Sequence, residues 1–300
     1  MYPVYSVTYL SGSDRDSVVS GRGEFHHGLL GSRNCPAMTH TIRITTATTL
    51  AAVLLTAVTS AQYLKHRDAK LPRNPDGTPN LTAPAPRLAD GTPDLGGLWN
   101  AVDGKFLTNI AQRAGFTAPF TPAAAAIFKE RQDTQGRDRP AGRCLPHTVP
   151  DAMLIPGYPW KIIQTPALMV VLFESFTDFR QIFTDGRDFP TEQAPTWMGY
   201  SVGRWQGDVF VVNTVGFNDK GWLDDGGHPR SEAMKVTERF RRRDFGHLEI
   251  EFTFDDSKSY TRPWSVTVPF ELLPDTEIIE NFCENEKDAQ HIFFDGPPKN

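Results

Sequence analysis

From Trp160 to Cys283 the chain is a succession of short runs rich in β-branched and aromatic residues, each closed by a turn signal, and this texture restricts the fold more than any other feature. Nine runs are predicted as strands in about 125 residues: Trp160–Gln164, Leu168–Glu174, Phe179–Thr184, Tyr200–Trp205, Asp208–Val215, Met234–Arg243, His247–Asp255, Trp264–Leu272 and Glu277–Cys283. Gln206-Gly207 and Asp244-Phe245-Gly246 read as tight hairpin turns. A meander of this length buries its apolar faces by closing into a barrel or folding into two sheets. The expected fold is all-β: an antiparallel barrel or curved meander with one N-terminal helix and a Pro-rich arm.

Alternation says which side chains point inward. Leu248, Ile250, Phe252 and Phe254 make one wholly apolar face, with His247, Glu249, Glu251 and Thr253 on the other, and Trp264, Val266, Val268 and Phe270 repeat the pattern. Two strands break it. Glu238 shares a face with Met234, Val236 and Phe240, and Glu280 shares one with Ile278 and Phe282. A charge turned inward costs several kcal/mol unless it is paired or faces a wet cavity. Glu238 and Glu280 are therefore expected either in ion pairs, with Arg239, Arg262 or another arginine at a barrel end, or as polar anchors for a ligand in the barrel.

Ahead of the strands, Thr121-Pro122 followed by an Ala-rich run is the clearest helix start, with Thr as N-cap and Pro at the first helical position, and the helix should end near Gly136. The stretch between Pro140 and Pro159 reads as irregular, because Pro146, Pro150, Pro156 and Pro159 each lack a backbone donor. His147, inside it, reads as a loop residue. From Gln62 to Leu95 the chain is Pro-rich and nearly repeats itself, Asp76-Gly-Thr-Pro-Asn-Leu81 against Asp90-Gly-Thr-Pro-Asp-Leu95, which suggests an extended arm of turns lying on a domain at 96–300.

Still earlier, Arg43, the apolar run Ala47–Val58 and Thr59-Ser60-Ala61 have the order of an export signal starting at Met38 and ending at 61. Gln62, where a lipid-anchored protein would carry Cys, argues against a lipid anchor. Residues 1–37 are expected to be a mis-assigned start or a disordered extension. The run is shorter than the roughly 20 residues needed to cross a bilayer. The expected location is the periplasm or the exterior. Removing the first 61 of 300 residues leaves a formal charge of about −6, which disfavours nucleic acid and anionic membranes as partners and leaves small molecules or proteins. Cys144 and Cys283 then form an even pair in an oxidising compartment and are expected to be disulfide-bonded.

No motif names a reaction. Gly199-Tyr-Ser201-Val-Gly203 fits the G-x-S-x-G pattern, but that elbow needs a strand, a sharp turn and a helix, and here a second β-run follows Ser201. Gly216–Arg230 is a long polar loop of the kind that carries function. Its Asp219, Asp224, Asp225 and His228 have neither EF-hand nor H-E-x-x-H spacing, so no metal and no cofactor is expected. Trp197 and Trp222 are the aromatics expected near a pocket mouth.

Gly97-Leu98-Trp99 is similar to the G-x-W signature of lipocalin-type barrels, a resemblance that implies an eight-stranded up-and-down barrel around an apolar cavity. The helix and some sixty residues between Trp99 and the meander depart from that pattern. Longer runs, among them Arg143-Cys-Leu-Pro146, Phe179–Gly186, Thr196–Trp205, Gly216-Phe-Asn-Asp219 and Thr237-Glu-Arg-Phe240, resemble a group of uncharacterised exported bacterial proteins; this supports export and implies no activity. The leading expectation is an exported barrel that binds a small apolar molecule through Glu238, Glu280, Trp197, Trp222, Asp219, His228 and Arg239. The alternatives are a hydrolase or acid–base isomerase using carboxylates in the same cavity, and a structural module of the cell envelope.

Overall fold

Nine strands close into a barrel in sequence order: β1 Gly97–Ala101, β2 Trp160–Gln164, β3 Leu168–Phe173, β4 Phe179–Phe183, β5 Tyr200–Gln206, β6 Val209–Val215, β7 Lys235–Arg242, β8 His247–Asp255 and β9 Trp264–Leu272, which pairs back onto β1. The structure is a computed structural model and describes residues 66–112 and 116–283, all within the unit Ser60–Asn300; the proposed leader at 1–37 and 38–61 lies outside the described residues. Among the described residues no helix is long and apolar enough to cross a membrane.

An odd barrel cannot be antiparallel throughout. Strand direction must return to itself around the ring, so the number of antiparallel neighbours is even, and nine strands need at least one parallel pair. That pair is β4–β5, matched only at Ile182↔Ser201 and Phe183↔Val202. Parallel neighbours need a crossover, which residues 184–199 provide. The barrel therefore differs from the eight-stranded up-and-down form implied by Gly97-Leu98-Trp99, although that tripeptide does open β1.

Inward positions follow the predicted alternation. Trp99, Trp160, Phe210, Phe240, Phe252 and Phe254 all have 0% exposure. An internal cavity large enough for water would leave its lining accessible to a water-sized sphere, so these side chains line no such void. Each such ring contributes about 1.5–3 kcal/mol by leaving water. On β5, Gly203 makes room: a Cβ there would lie 2.2 Å from the Phe210 ring.

The two ends of the barrel are built differently. At the lower end, where β2, β4, β5, β7 and β9 finish, the arm is strapped on. Gly246 and Phe245 donate to Leu81 O and Ala83 O (2.7 and 2.8 Å). The repeat is longer than the Asp-Gly-Thr-Pro core suggested, since Pro72-Arg73 and Pro86-Arg87 also correspond. Both copies fold alike: Asp76 and Asp90 accept from the Thr two residues on (2.9 Å each), Gly77 and Gly91 both have φ +84°, and Arg73 and Arg87 reach out to Asp275 and Asp208. Arg242 seals this end, donating to the carbonyls of Asp94, Gly96 and Phe245 with its guanidinium 5.0 Å from the Trp99 ring centroid.

The upper end is covered by the segment between β1 and β2, which holds α1 (Lys105–Thr108) and α2 (Pro122–Asp133). As expected, Thr121 caps α2 by accepting from Ala124 N (3.3 Å), with Pro122 at the first helical position. Two short 3-10 turns interrupt the stretch read as irregular, at Ala141–Arg143 and Asp151–Met153.

The predicted strand Glu277–Cys283 does not form; the ninth strand is β1. From the lower end of β9 the chain climbs the outside of the barrel instead. Lys161 pairs with Glu277 (2.5 Å), Ile279 N donates to Glu174 Oε2 (3.1 Å), and Thr177 Oγ1 donates to Asn281 O (3.1 Å). Cys283 then reaches Cys144, and the two are disulfide-bonded with Cα atoms 5.4 Å apart. Glu280 is correspondingly exposed rather than inward.

Candidate functional site

Glu238 is where alternation placed it, inside the barrel on β7 with 0% exposure. Its partner is none of the arginines named for it but Arg180 of β4. Arg180 Nη1 donates to Glu238 Oε1 (2.9 Å) and Nη2 to Oε2, while Nε donates to Ser201 Oγ (3.1 Å) and Nη2 also to Thr214 Oγ1 (2.8 Å). Every guanidinium nitrogen is engaged. Ser201 lies within β5 with its hydroxyl committed to Arg180 and Thr214, so it is on no nucleophile elbow.

The other expected site residues are dispersed. Arg239 is on the outer face, near Glu251 (3.7 Å) and Gln206. Asp219 is exposed. Trp222 is buried beneath Arg131, whose guanidinium is 4.2 Å from a Trp222 ring centroid. His228 is buried among Phe128, Phe120 and Trp264 (centroids 4.5, 5.4 and 6.1 Å), with Nδ1 on Asp224 Oδ2 (2.7 Å). Asp224 also accepts from Ile110 N and His228 N, so this pair clips the polar loop to the cover. Trp197 is half-buried, its carbonyl accepting from Arg230 (3.2 Å). Arg239 and Glu280 thus lie on the outside of the barrel, and Trp197, Asp219, Trp222 and His228 in the β4–β5 and β6–β7 connections.

The groups that do converge are at the upper mouth, drawn from three separate segments. The β1–β2 segment brings Arg139, His147 and Tyr158; the β3–β4 turn brings Ser175 and Phe176; the β6–β7 loop brings Asp225. They line a cavity of about 90 Å³. Asp225 is placed by its own N–H donating to Leu107 O (2.8 Å) and pairs with Arg139 Nη1. His147 Nδ1 contacts Asp151 Oδ2 at 2.6 Å, and Asp151 is itself buried. Phe176 packs on the imidazole, centroids 4.6 Å apart. Phe176 and Thr177 both have left-handed φ, +59° and +55°, at a cost of about 1–3 kcal/mol each that surrounding contacts must offset. The Thr177–Asn281 and Glu174–Ile279 bonds supply some of those contacts.

Compared with protein-family models, curated proteins and solved structures, the chain matches none. The chemistry of the mouth is therefore read from its own groups. Burial pushes the Asp225 carboxyl up to about 6, the charge of Asp151 adding to the shift and Arg139 and His147 opposing it. For His147, burial favours the neutral ring, but the carboxylates of Asp151, Asp178 and Asp225 outweigh it and hold the imidazole above its ordinary value. Burial likewise raises Asp178, against the pull of His147. A carboxyl raised to about 6 and an imidazole held above its ordinary value, in one cavity beside Arg139, are groups that can exchange a proton. Among the described residues no group of three or more His, Cys, Asp or Glu is placed to hold a metal ion.

Sequence reasoning passed over His147, Asp151 and Arg139. A signal was present: His147/Asp151 and Asp224/His228 are both His–Asp pairs four residues apart. Pro150 between the members of the first pair suppresses the helical reading that would have joined them.

Proposed function

We propose that this chain is an exported protein that seats a small polar molecule in the barrel mouth and acts on it by proton transfer, with Asp225 and His147 as the exchanging groups. The observation that carries this reading is the shared cavity: Asp225, with its carboxyl near 6, and His147, held by Asp151, line the same space beside Arg139. Asp151 on Nδ1 leaves Nε2 as the exchanging nitrogen and fixes the ring. Arg139 holds Asp225 and opposes the rise that burial gives its carboxyl. At about 90 Å³ the cavity admits a very small molecule or the reacting end of a larger one, far less than the roughly 300–1,000 Å³ of a pocket that encloses a drug-sized ligand. The zero exposure of the inward rings supports the mouth, rather than the barrel interior, as the seat. The Cys144–Cys283 disulfide supports an oxidising compartment.

The test is a metabolite panel screened against the isotopically labelled full chain by NMR, reading the His147 imidazole signals, with turnover measured for every binder. The reading expects binders that shift His147 and are consumed, with Asp225→Asn slowing consumption by about 10²–10⁴-fold. Binders that shift His147 but are never converted would reduce the protein to a binding module. Binders that perturb only the barrel tryptophans would return the ligand to the interior and overturn the reading.

A further inference from the structure

The turn between β3 and β4 brings a hydroxyl to the mouth that the proton-transfer reading leaves unused. β3 ends at Phe173, and after Glu174 the chain bends through the 3-10 turn Ser175–Thr177 into β4. Phe176 and Thr177 are the only two consecutive non-glycine residues with left-handed φ among the described residues. Strain of this kind persists where the surroundings fix a group in place. Ser175, directly before them, is 4% exposed and lines the same cavity of about 90 Å³ as His147 and Asp225. Among the described residues its hydroxyl has no hydrogen-bond partner. Unlike the partnerless oxygens of Asp151, Asp178 and Thr276, that hydroxyl is not sealed from water. Buried hydroxyls are ordinarily bonded, as Ser201 is to Arg180 and Thr214, so an unengaged one at a cavity calls for a reason.

Its neighbours are those that would use it. The ring of the next residue, Phe176, packs on the His147 imidazole with centroids 4.6 Å apart, so the turn that places Ser175 also touches the base. Asp151 on Nδ1, at 2.6 Å, fixes that ring and leaves Nε2 to take a proton. A serine, an imidazole and a buried carboxylate that orients it are the groups of covalent acyl transfer, recognised by their roles and not by their order along the chain. Ser175 N and Phe176 N donate to no acceptor among the described residues, and Arg139 gives Asp225 only Nη1. Donors therefore remain in the same turn and cavity for an oxygen that gains charge.

We infer that Ser175 is a nucleophile that takes the acyl group of a small carboxylic ester, with His147 as its base. This names the substrate class for the site proposed above, and it rests on that reading for the claims that the mouth seats a substrate and that His147 and Asp225 exchange protons. Ser175 Oγ bonds to the carbonyl carbon, its proton passes to His147 Nε2, and the carbonyl electron pair moves onto the oxygen. As that pair returns, the bond to the alcohol oxygen breaks and the departing oxygen takes the proton from His147. Water then attacks the acyl-serine, its proton going to the Asp225 carboxylate and from there to Oγ as the acid leaves. The sum is ester plus water to acid plus alcohol. The size of the cavity limits the acyl group to a few heavy atoms and leaves the alcohol part outside it.

The test treats the full chain with p-nitrophenyl acetate, follows nitrophenolate release, and locates acetyl groups in the quenched protein by mass spectrometry. The inference expects acetyl on Ser175, more of it in Asp225→Asn, and Ser175→Ala slowing release by at least about 10³-fold. No acetyl on Ser175, or release unchanged in Ser175→Ala, overturns it. If Ser175→Ala does not fold, the position of the acetyl group in the wild type decides alone. The other variants separate the two claims. Should Ser175 stay unmodified while Asp225→Asn and His147→Gln still slow consumption of a metabolite bound in the mouth, the covalent step falls and the proton-transfer reading stands. Acetylation of Ser175 at an unchanged rate in His147→Gln would instead sink the proton-transfer reading, and with it the base assigned to Ser175.

Discussion

At the scale of single residues, the most consequential choice in this barrel is Arg180. Its side chain, 1% exposed, starts on β4 and reaches Ser201 on β5, Thr214 on β6 and Glu238 on β7, crossing the one seam that has only two matched positions. Where backbone pairing is thinnest, a fully bonded guanidinium replaces it. On the outside of the same seam Phe183 stacks on Tyr200 at 5.0 Å, and Arg187 covers Phe183 at 4.0 Å. Removing one member of a buried pair leaves the other charge uncompensated, so Glu238→Gln should cost about 3–5 kcal/mol in denaturant unfolding. Arg180→Met combined with Glu238→Leu should cost clearly less than either single change, because no charge is then stranded. Equal or greater loss in the double variant would mean that the pair stabilises the seam by more than its burial costs.

At the scale of elements, the C-terminal strap shows how tertiary contacts override local preference. Ile278, Glu280 and Phe282 alternate like a strand, and nothing in their sequence says that the barrel has already closed between β9 and β1. Once closed, a barrel offers no edge for another strand, so the segment takes the outside route and is held by side-chain contacts to Lys161, Glu174 and Thr177 and by Cys144. Eight of the nine predicted runs are strands, because alternation and hairpin turns are local signals; closure and the parallel seam depend on partners far along the chain. The mouth was harder to read for the same reason, since Arg139, His147, Phe176 and Asp225 come from three connections. The disulfide ties two of these elements together, the cover of the mouth and the strap behind Phe176. Cys144→Ser should therefore destabilise the protein by about 2–4 kcal/mol under non-reducing conditions, and reductant should lower the wild-type Tm to match. A reductant effect that persists in the variant would place the redox sensitivity elsewhere.

At the scale of the whole molecule, the two ends of the barrel should respond oppositely to pH. The lower end and outer surface carry exposed or half-buried carboxylates held below their ordinary range by hydrogen bonds: Asp275 and Asp208 by the arm's arginines, and Asp76 and Asp90 by their own turn threonines. Such groups stabilise the fold above their unfolded values, and that contribution is lost as pH falls below about 4. At the mouth the sign reverses. Asp225, raised to about 6 mainly by burial, and His147, raised by its carboxylate neighbours, bind protons more tightly folded than unfolded. Their contribution is complete below the unfolded values and disappears as pH climbs through the folded ones, across about 4–6 for Asp225 and from about 6.5 upward for His147. Thermal unfolding should thus give a higher Tm at pH 5 than at pH 8. Asp225→Asn should flatten the lower part of that decline, and His147→Gln the upper part. A Tm that does not fall over this range would mean that the mouth groups titrate as they do in water, and a mouth of that kind has no acid or base poised for proton transfer.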